Sequence, residues 1–258
     1  MAIEIKIALV QSPLHWEDPN ANRAMFDKKI AAIDDDVDLI VLPEMFTTGF
    51  TMKPQNIPAS EGKKTVEWMR RKAIEKDAAI VGSIAYKEDN DCYNRLFFVA
   101  PHAHISQYDK RHTFTLAGED KAYKRGDEQL VETYKGFRFM LLICYDLRFP
   151  VWARNTFDYD VLLYVANWPK PRVAAWDALL KARAIENMAY CIGVNRVGRD
   201  GLGHEYSGHS AVYDVLGNKI VYSESEEVLY AVLSKEHIVS NREKLRFLDD
   251  RDRFTLTP

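Results

Sequence analysis

The chain is poor in cysteine, with three in 258 residues: Cys92, Cys144 and Cys191. They are odd in number and far apart, so they form neither a disulfide framework nor the C-x-x-C pair of a zinc site or a thiol redox enzyme. A reducing cytoplasm is the expected location, and neither metal nor organic cofactor is indicated. A surplus of one charge is missing too. Lys and Arg number 35 against 38 Asp and Glu, for a net charge of −3, and such a balance offers no basic face to neutralise phosphates. Nucleic acid is therefore not an expected partner. No apolar run reaches the roughly 20 residues of a membrane span. The opening MAIEIKIALV alternates apolar and charged residues, where a secretory signal has a basic region followed by an uninterrupted apolar one. It reads as a strand. Linkers, repeats and low-complexity tracts are also lacking, and one domain over residues 1–258 is expected.

What the chain does have is 47% hydrophobic and 28% charged residues, the composition of a globular protein with a substantial core. Residues 5–10 form a first strand, and Asn20 is positioned to cap a helix in which Phe26, Ile30 and Ile33 fall at i, i+4 and i+7. VDLIVLPE is a short strand halting at Pro43 and Glu44. Val66, Met69 and Ala73 mark a second helix. AAIVGSIAY and YNRLFFVA flank the polar cluster 87–91 as in a hairpin, and HISQYDKRHTF passes from strand to a loop carrying Lys110, Arg111 and His112. The charged stretch 117–129 is expected to be exposed loop. A short helix is expected beyond Pro150, a strand in YDVLLYVANWP, and a helix over 174–190 with Trp176, Leu179, Leu180 and Met188 near one face. AYCIGVNRVG, SAVYDVLGNKI and VLYAVLSKE give further strands, with a turn at Gly217-Asn218. Alternating strands and helices together with hairpins predict an α/β fold, a mixed sheet covered by helices.

The chain is organised around FMLLICYDLRFPVW, residues 139–152. An apolar run bounded by turn residues reads as a buried strand, and its abrupt switch to polar residues places Cys144 at the strand's end. In an open α/β sheet ligands bind at the carboxyl ends of the strands. A thiol there is placed to act as a nucleophile, although free cysteine is also a common core residue. Glu44 repeats the pattern, a reactive residue type where a strand stops. Singly, Glu44 also fits a helix cap, and Lys110 a solvated basic patch.

DLIVLPEMF around Glu44, YDKRHTF around Lys110 and LLICYDLRFPVW around Cys144 resemble, in this order, the motifs of the carbon–nitrogen hydrolases, the nitrilase superfamily. ANWPKPR, LLKARAIENMAYCIGVNRVG and SGHSAVYDVLGNKI extend the resemblance over nearly the whole chain. It implies a four-layer α-β-β-α sandwich with mixed sheets and a homodimer or larger assembly. It also implies a Glu44, Lys110, Cys144 triad, with Glu119 as a second glutamate that positions the substrate or the ammonium. The chemistry suits these residue types. A free thiol has a pKa of about 8.5 and reacts as thiolate, so it needs a base. Glu44 would be that base, while Lys110 and the Tyr145 backbone N–H would stabilise the oxyanion.

Branches of the superfamily differ in substrate. Tyr145-Asp146 stands where nitrilases commonly carry Trp-Glu, and CYDLRFPVW with NWP downstream resembles the ω-amidases. Those enzymes remove ammonia from the distal amide of 2-oxo dicarboxylic acid monoamides such as 2-oxoglutaramate and 2-oxosuccinamate. A small amide with a free carboxylate needs an arginine at a fixed distance. Arg148 is the first candidate and Arg172 the second, with a structural ion pair as the other possibility for each. Asn167 and Trp168 are expected in the pocket wall, His112 beside the lysine, and Arg183 and Glu186 as a scaffold pair on one helix face. Alternatives are an N-carbamoyl, β-ureido acid or aliphatic amide hydrolase, and a degenerate scaffold or binding protein.

Overall fold

The computed structural model describes residues 3–102 and 105–256. In β1 (Glu4–Gln11) alternation decides the faces: Ile5, Ile7 and Leu9 enter one buried cluster, Ala8 and Val10 another. Helix α1 (Pro19–Ala31) is capped by Asp18, whose carboxylate accepts from Ala21 N at 3.0 Å, and not by Asn20, which lies inside the helix. The cap moves because Pro19, with its fixed φ and no N–H to leave unpaired, takes the first helical position. Ile33 is buried although the helix stops before it. β2 (Leu39–Val41) follows, then α2 (Glu61–Lys76), which buries Trp68, Met69 and Ala73. β3 (Ala79–Glu88) and β4 (Asp91–Val99) form the expected hairpin, extended through most of the polar cluster. β5 (Ile105–Asp109) ends just before Lys110, and His104 lies outside the described residues.

The stretch 117–129 departs from expectation. A four-residue helix α3 (Glu119–Ala122) lies within it, and Glu119 and Tyr123 are buried. Charge alone misleads here, because the Glu119 carboxylate is neutralised by Lys110 from another segment. Next come β6 (Val131–Tyr134) and β7 (Phe137–Ile143), then a 3-10 turn over Cys144–Arg148. Beyond Pro150 the chain makes turns in place of the expected helix. Pro150 disfavours helical backbone in the residue before it, and Asn155 bonds to Tyr159 N and O and to Asn187 O. β8 (Val161–Ala166) and α4 (Val173–Asn187) follow, and Met188 is a left-handed cap just past α4 rather than part of its face. The remaining elements are β9 (Tyr190–Asn195), β10 (Val197–Arg199), β11 (Glu205–Ser207), β12 (Ser210–Tyr213), β13 (Lys219–Ser223), β14 (Glu227–Ser234) and α5 (Lys235–Leu245). The last was not expected, because Ile238 is its one buried residue and no apolar stripe announces it.

The strands make two six-stranded mixed sheets, as the resemblance implied and where strand patterning alone suggested one, ordered β14-β1-β2-β3-β4-β5 and β13-β12-β9-β8-β7-β6, plus the separate pair β10-β11. Three parallel strands form the middle of each large sheet, β1-β2-β3 and β7-β8-β9. The sheets pack face to face, with Phe98 and Phe139 6.2 Å apart between ring centres. Helices α1 and α2 cover the outer face of the first sheet through Phe26, Ile30, Trp68 and Met69. Helix α4 covers the second, where Gly193 lets Trp176 and Leu180 approach so closely that a Cβ would sit 2.5 Å from Leu180. The result is a four-layer α-β-β-α sandwich. No described helix is long and apolar enough to cross a membrane.

Candidate active site

Beyond the carboxyl ends of β2, β7 and β8 the chain reaches Glu44, Cys144 and Asn167, and Lys110 follows β5. The structure brings Glu44, Lys110, Glu119 and Cys144 together at the ends of the parallel strands, from four separate segments. Glu44 is fully buried. Its Oε1 accepts from Lys110 Nζ at 2.9 Å and from Asn94 Nδ2 at 2.8 Å, and its Oε2 from Asn167 N at 2.7 Å. Lys110 Nζ also donates to both Glu119 oxygens, at 3.0 and 2.9 Å, and lies 5.1 Å from the centre of the Phe50 ring. Phe114 N and Asn94 Nδ2 complete the shell of Glu119.

Burial works against the Lys110 ammonium, but Glu119 and Glu44 outweigh it and hold its pKa well above the ordinary value. Burial pushes the Glu119 carboxyl up and Glu44 adds to the effect, against the pull of Lys110. The Cys144 thiol is driven up by burial and then by Glu44, with Lys110 opposing. It therefore rests as a thiol, and its proton must be removed for it to react.

Cys144 has φ +44°, a left-handed backbone rare for a residue with a side chain. The turn is held by Asp146, whose buried carboxylate accepts from Ile143 N at 3.0 Å and Tyr108 Oη at 2.8 Å. It also accepts from His112 N at 3.0 Å and His112 Nδ1 at 2.8 Å. The His112 ring stacks on Phe149 with centres 3.8 Å apart.

Cys144 opens onto a cavity of about 610 Å³ that Lys110, Tyr145, Arg148, Asn167, Trp168 and Arg172 also line. The Arg148 guanidinium lies 4.8 Å from the Trp168 ring centre, and that of Arg172 5.1 Å from Phe114. Among the described residues neither makes an ion pair with a carboxylate. Asn167 Nδ2 donates to the Glu44 carbonyl at 2.6 Å, and Trp168 Nε1 to the Arg172 carbonyl at 2.8 Å, so this strand end ties the carboxylate to the arginine wall. Arg183 pairs with Glu186 at 2.8 Å and donates to the Leu147 carbonyl behind the Cys144 turn.

Sequence reasoning missed three parts of the site. Asn94 bridges the two carboxylates, yet its signal was present: it shares a strand face with Leu96 and Phe98, a polar residue on an inward row. Asp146 was hidden inside the motif. The β10-β11 arm contributes Arg199, Asp200, Leu202, His204 and Tyr206 to the cavity wall, and its sequence, RDGLGHEY, has no apolar period to follow. Asp200 shapes the arm by accepting from Leu202 N, His204 N and Tyr206 Oη, each at 2.9 Å. No group of three or more His, Cys, Asp or Glu among the described residues is arranged to hold a metal ion.

Known proteins resemble this chain over nearly all of its length. The family model described as carbon-nitrogen hydrolase matches residues 6–243. The chain is 44% identical over 256 residues to the omega-amidase YafV of Yersinia enterocolitica, covering 98% of each. It is 31% identical over 250 residues to the 2-oxoglutaramate amidase of Bacillus subtilis, covering 95% of this chain and 96% of the relative. Among solved structures, a CN-hydrolase superfamily protein of Xanthomonas campestris with an arsenic adduct in its active site superimposes with a TM-score of 0.95. That protein is 39% identical, over 98% of this chain and 99% of the other. With its motifs gathered at one cavity and its whole length matched, the chain belongs to the carbon–nitrogen hydrolase family.

Proposed function

We propose that this enzyme is an ω-amidase, releasing ammonia from the distal amide of 2-oxo dicarboxylic acid monoamides such as 2-oxoglutaramate and 2-oxosuccinamate. The observation that carries the substrate choice is the pair of guanidiniums, Arg148 and Arg172, facing the thiol's cavity with no carboxylate partner among the described residues. A guanidinium in a protein stays charged and binds carboxylate in a fork. Stacking on Trp168 and Phe114 limits its motion, so a substrate carboxylate finds its partner in place. The names of the relatives point to the same substrate class.

In the proposed mechanism Glu44 takes the Cys144 proton and the sulfur attacks the amide carbon. The C–S bond forms as the carbonyl π electrons move to oxygen. The Lys110 ammonium and the Tyr145 N–H stabilise that oxyanion, and one such donor is worth about 10² to 10³ in rate. Glu44 then passes its proton to the nitrogen, the C–N bond breaks and ammonia leaves. Water, giving a proton to Glu44, attacks the thioester. The C–S bond breaks, the acid departs and the thiol regains its proton. Glu119 holds the far side of Lys110 throughout. We also place residues 1–258 in one domain that works in the cytoplasm as a homodimer or larger assembly.

The test is ammonia release from 2-oxoglutaramate, 2-oxosuccinamate, glutamine, a neutral aliphatic amide, an N-carbamoyl amino acid and a nitrile. Strong preference for the oxo-acid amides is expected. Preference for the neutral amide or the carbamoyl compound would overturn the substrate choice.

A further inference from the structure

The buried site holds two carboxylates and one ammonium. Glu44 receives three hydrogen bonds, from Lys110 Nζ, Asn94 Nδ2 and Asn167 N. Glu119 receives four, two from Lys110 Nζ and one each from Asn94 Nδ2 and Phe114 N. Every one of these partners is a donor, and none of them could take an O–H from either carboxyl group. The shell is complementary to two ionised carboxylates, although Lys110 supplies a single positive charge. The excess negative charge rests on neutral N–H groups. Asn94 is the side chain that reaches both carboxylates besides Lys110, at 2.8 Å to Glu44 and 3.0 Å to Glu119. Its orientation is set from behind: Ser83 Oγ donates to Asn94 Oδ1 at 2.9 Å and accepts from Met45 N at 2.9 Å, next to Glu44 in the chain. The Ser83 proton is thereby committed to the amide oxygen, which turns the NH₂ group toward the two acids. Asn94 and Ser83 are buried on the neighbouring strands β4 and β3, where Ser83 pairs with Leu96 and Asn94 with Ala85, so the two side chains meet diagonally across two residues of register.

We infer that Asn94 is a positioning residue, held by Ser83, that keeps Glu44 and Glu119 ionised around one ammonium and so keeps Glu44 available as the base. This rests on the reading of Cys144 as nucleophile and Glu44 as its base. The other ionisable groups facing the pair are Cys144, Tyr123 and Tyr206. Burial pushes both phenols up, so they do not exchange protons with the acids in the working range. The direction of the effect follows from what Asn94 donates. A donor to a carboxylate favours the charged form. Its removal lets one proton return to the Glu44–Glu119 pair at a higher pH, and the protonated pair has no base to offer. The acid limb of the rate therefore moves up.

The test is the pH profile of kcat/KM for ammonia release from 2-oxoglutaramate, with the pH dependence of Cys144 alkylation by iodoacetamide read by mass spectrometry. Wild type, Asn94→Leu and Ser83→Ala are compared. In Asn94→Leu the acid limb should move up by about one pH unit, a roughly tenfold loss at a fixed acidic pH. Much of that loss should be recovered on the alkaline side. Ser83→Ala should shift the limb the same way by less, because the freed amide can rotate. A loss that is uniform across pH, or an unmoved limb, overturns the inference. Should Asn94→Leu fail to fold, Ser83→Ala decides, with an unmoved limb again the overturning result. Should the wild type release no ammonia from any amide, the substrate reading falls, and the alkylation profiles still decide the role of Asn94.

Discussion

Asp146 holds His112 twice, by the backbone N–H at 3.0 Å and by the ring Nδ1 at 2.8 Å. The two residues belong to different loops, one two positions past Cys144 and the other two positions past Lys110. One buried carboxylate therefore spaces the sulfur from the ammonium, and Tyr108 Oη reinforces it from β5.

An amide cannot satisfy this shell. In Asp146→Asn the NH₂ group would face donors on at least one side, leaving buried N–H groups unpaired at about 1–3 kcal/mol each. The expected result is a lower urea midpoint together with a fall in kcat of at least about tenfold. A variant with wild-type kcat and midpoint would show that the tie does not space the two loops.

The left-handed backbone at Cys144 makes a separate prediction. Cys144→Ala should fold and lose ammonia release, and Cys144→Gly should be equally inactive but more stable than Cys144→Ala by about 1 kcal/mol, because glycine accepts φ +44° without strain. Paired thermal melts of the two variants measure this difference. A glycine variant melting below the alanine variant would mean the turn stores no such strain.

Lys110→Met should leave Glu44 and Glu119 buried without a cation. Breaking a buried ion pair from one side costs about 3–5 kcal/mol. The sign of its pH dependence is fixed by the acids. Glu119 already has its pKa raised by burial in the folded protein, and loss of Lys110 raises it further. The folded variant then binds a proton that the unfolded chain has released, so its deficit should narrow as pH falls and widen as pH rises. Urea melts of both proteins at acidic and neutral pH check it, and a deficit independent of pH would contradict the charge arrangement.

Arg148→Lys keeps the charge but loses the fork and the stack on Trp168. kcat/KM for 2-oxoglutaramate should fall by about tenfold or more, given that a hydrogen bond to a charged group is worth about 1.5–3 kcal/mol. A neutral aliphatic amide should lose far less. Equal losses on both substrates would assign Arg148 to structure, and the same comparison on Arg172→Lys ranks the two arginines.

Glu44 and Cys144 could be found in the sequence because both follow short apolar strands that stop abruptly, a pattern created by the fold itself. Lys110 has no such local signature, and the resemblance of YDKRHTF singled it out. Glu119 could not be placed by composition, since its neighbours are charged and its burial is earned by a lysine from another loop. Two sheets rather than one could not be foreseen from strand periods, which say that a strand has two faces but not what covers each. Local chemistry displaced the other details: Pro19 moved a helix cap to Asp18, and Asn155 tied the segment after Pro150 into turns. The β10-β11 arm left no trace because its shape comes from Asp200 accepting backbone N–H groups, not from apolar spacing.

The pairing of β1 with β14, register Glu4 to Ser234, sets a limit on folding during synthesis. One edge of the parallel trio β1-β2-β3 is completed by a strand from the far end of the chain, a contact of very long sequence separation, which carries a high loop-closure cost and is slow to form. While residues 227–234 are inside the ribosome, β1 has an unpaired edge open to other strands. Ribosome-bound chains stalled before residue 227 should therefore aggregate or hold chaperones longer than the released 258-residue chain, which chaperone pull-down can measure. Equal retention would mean that the first sheet is protected before its last strand arrives.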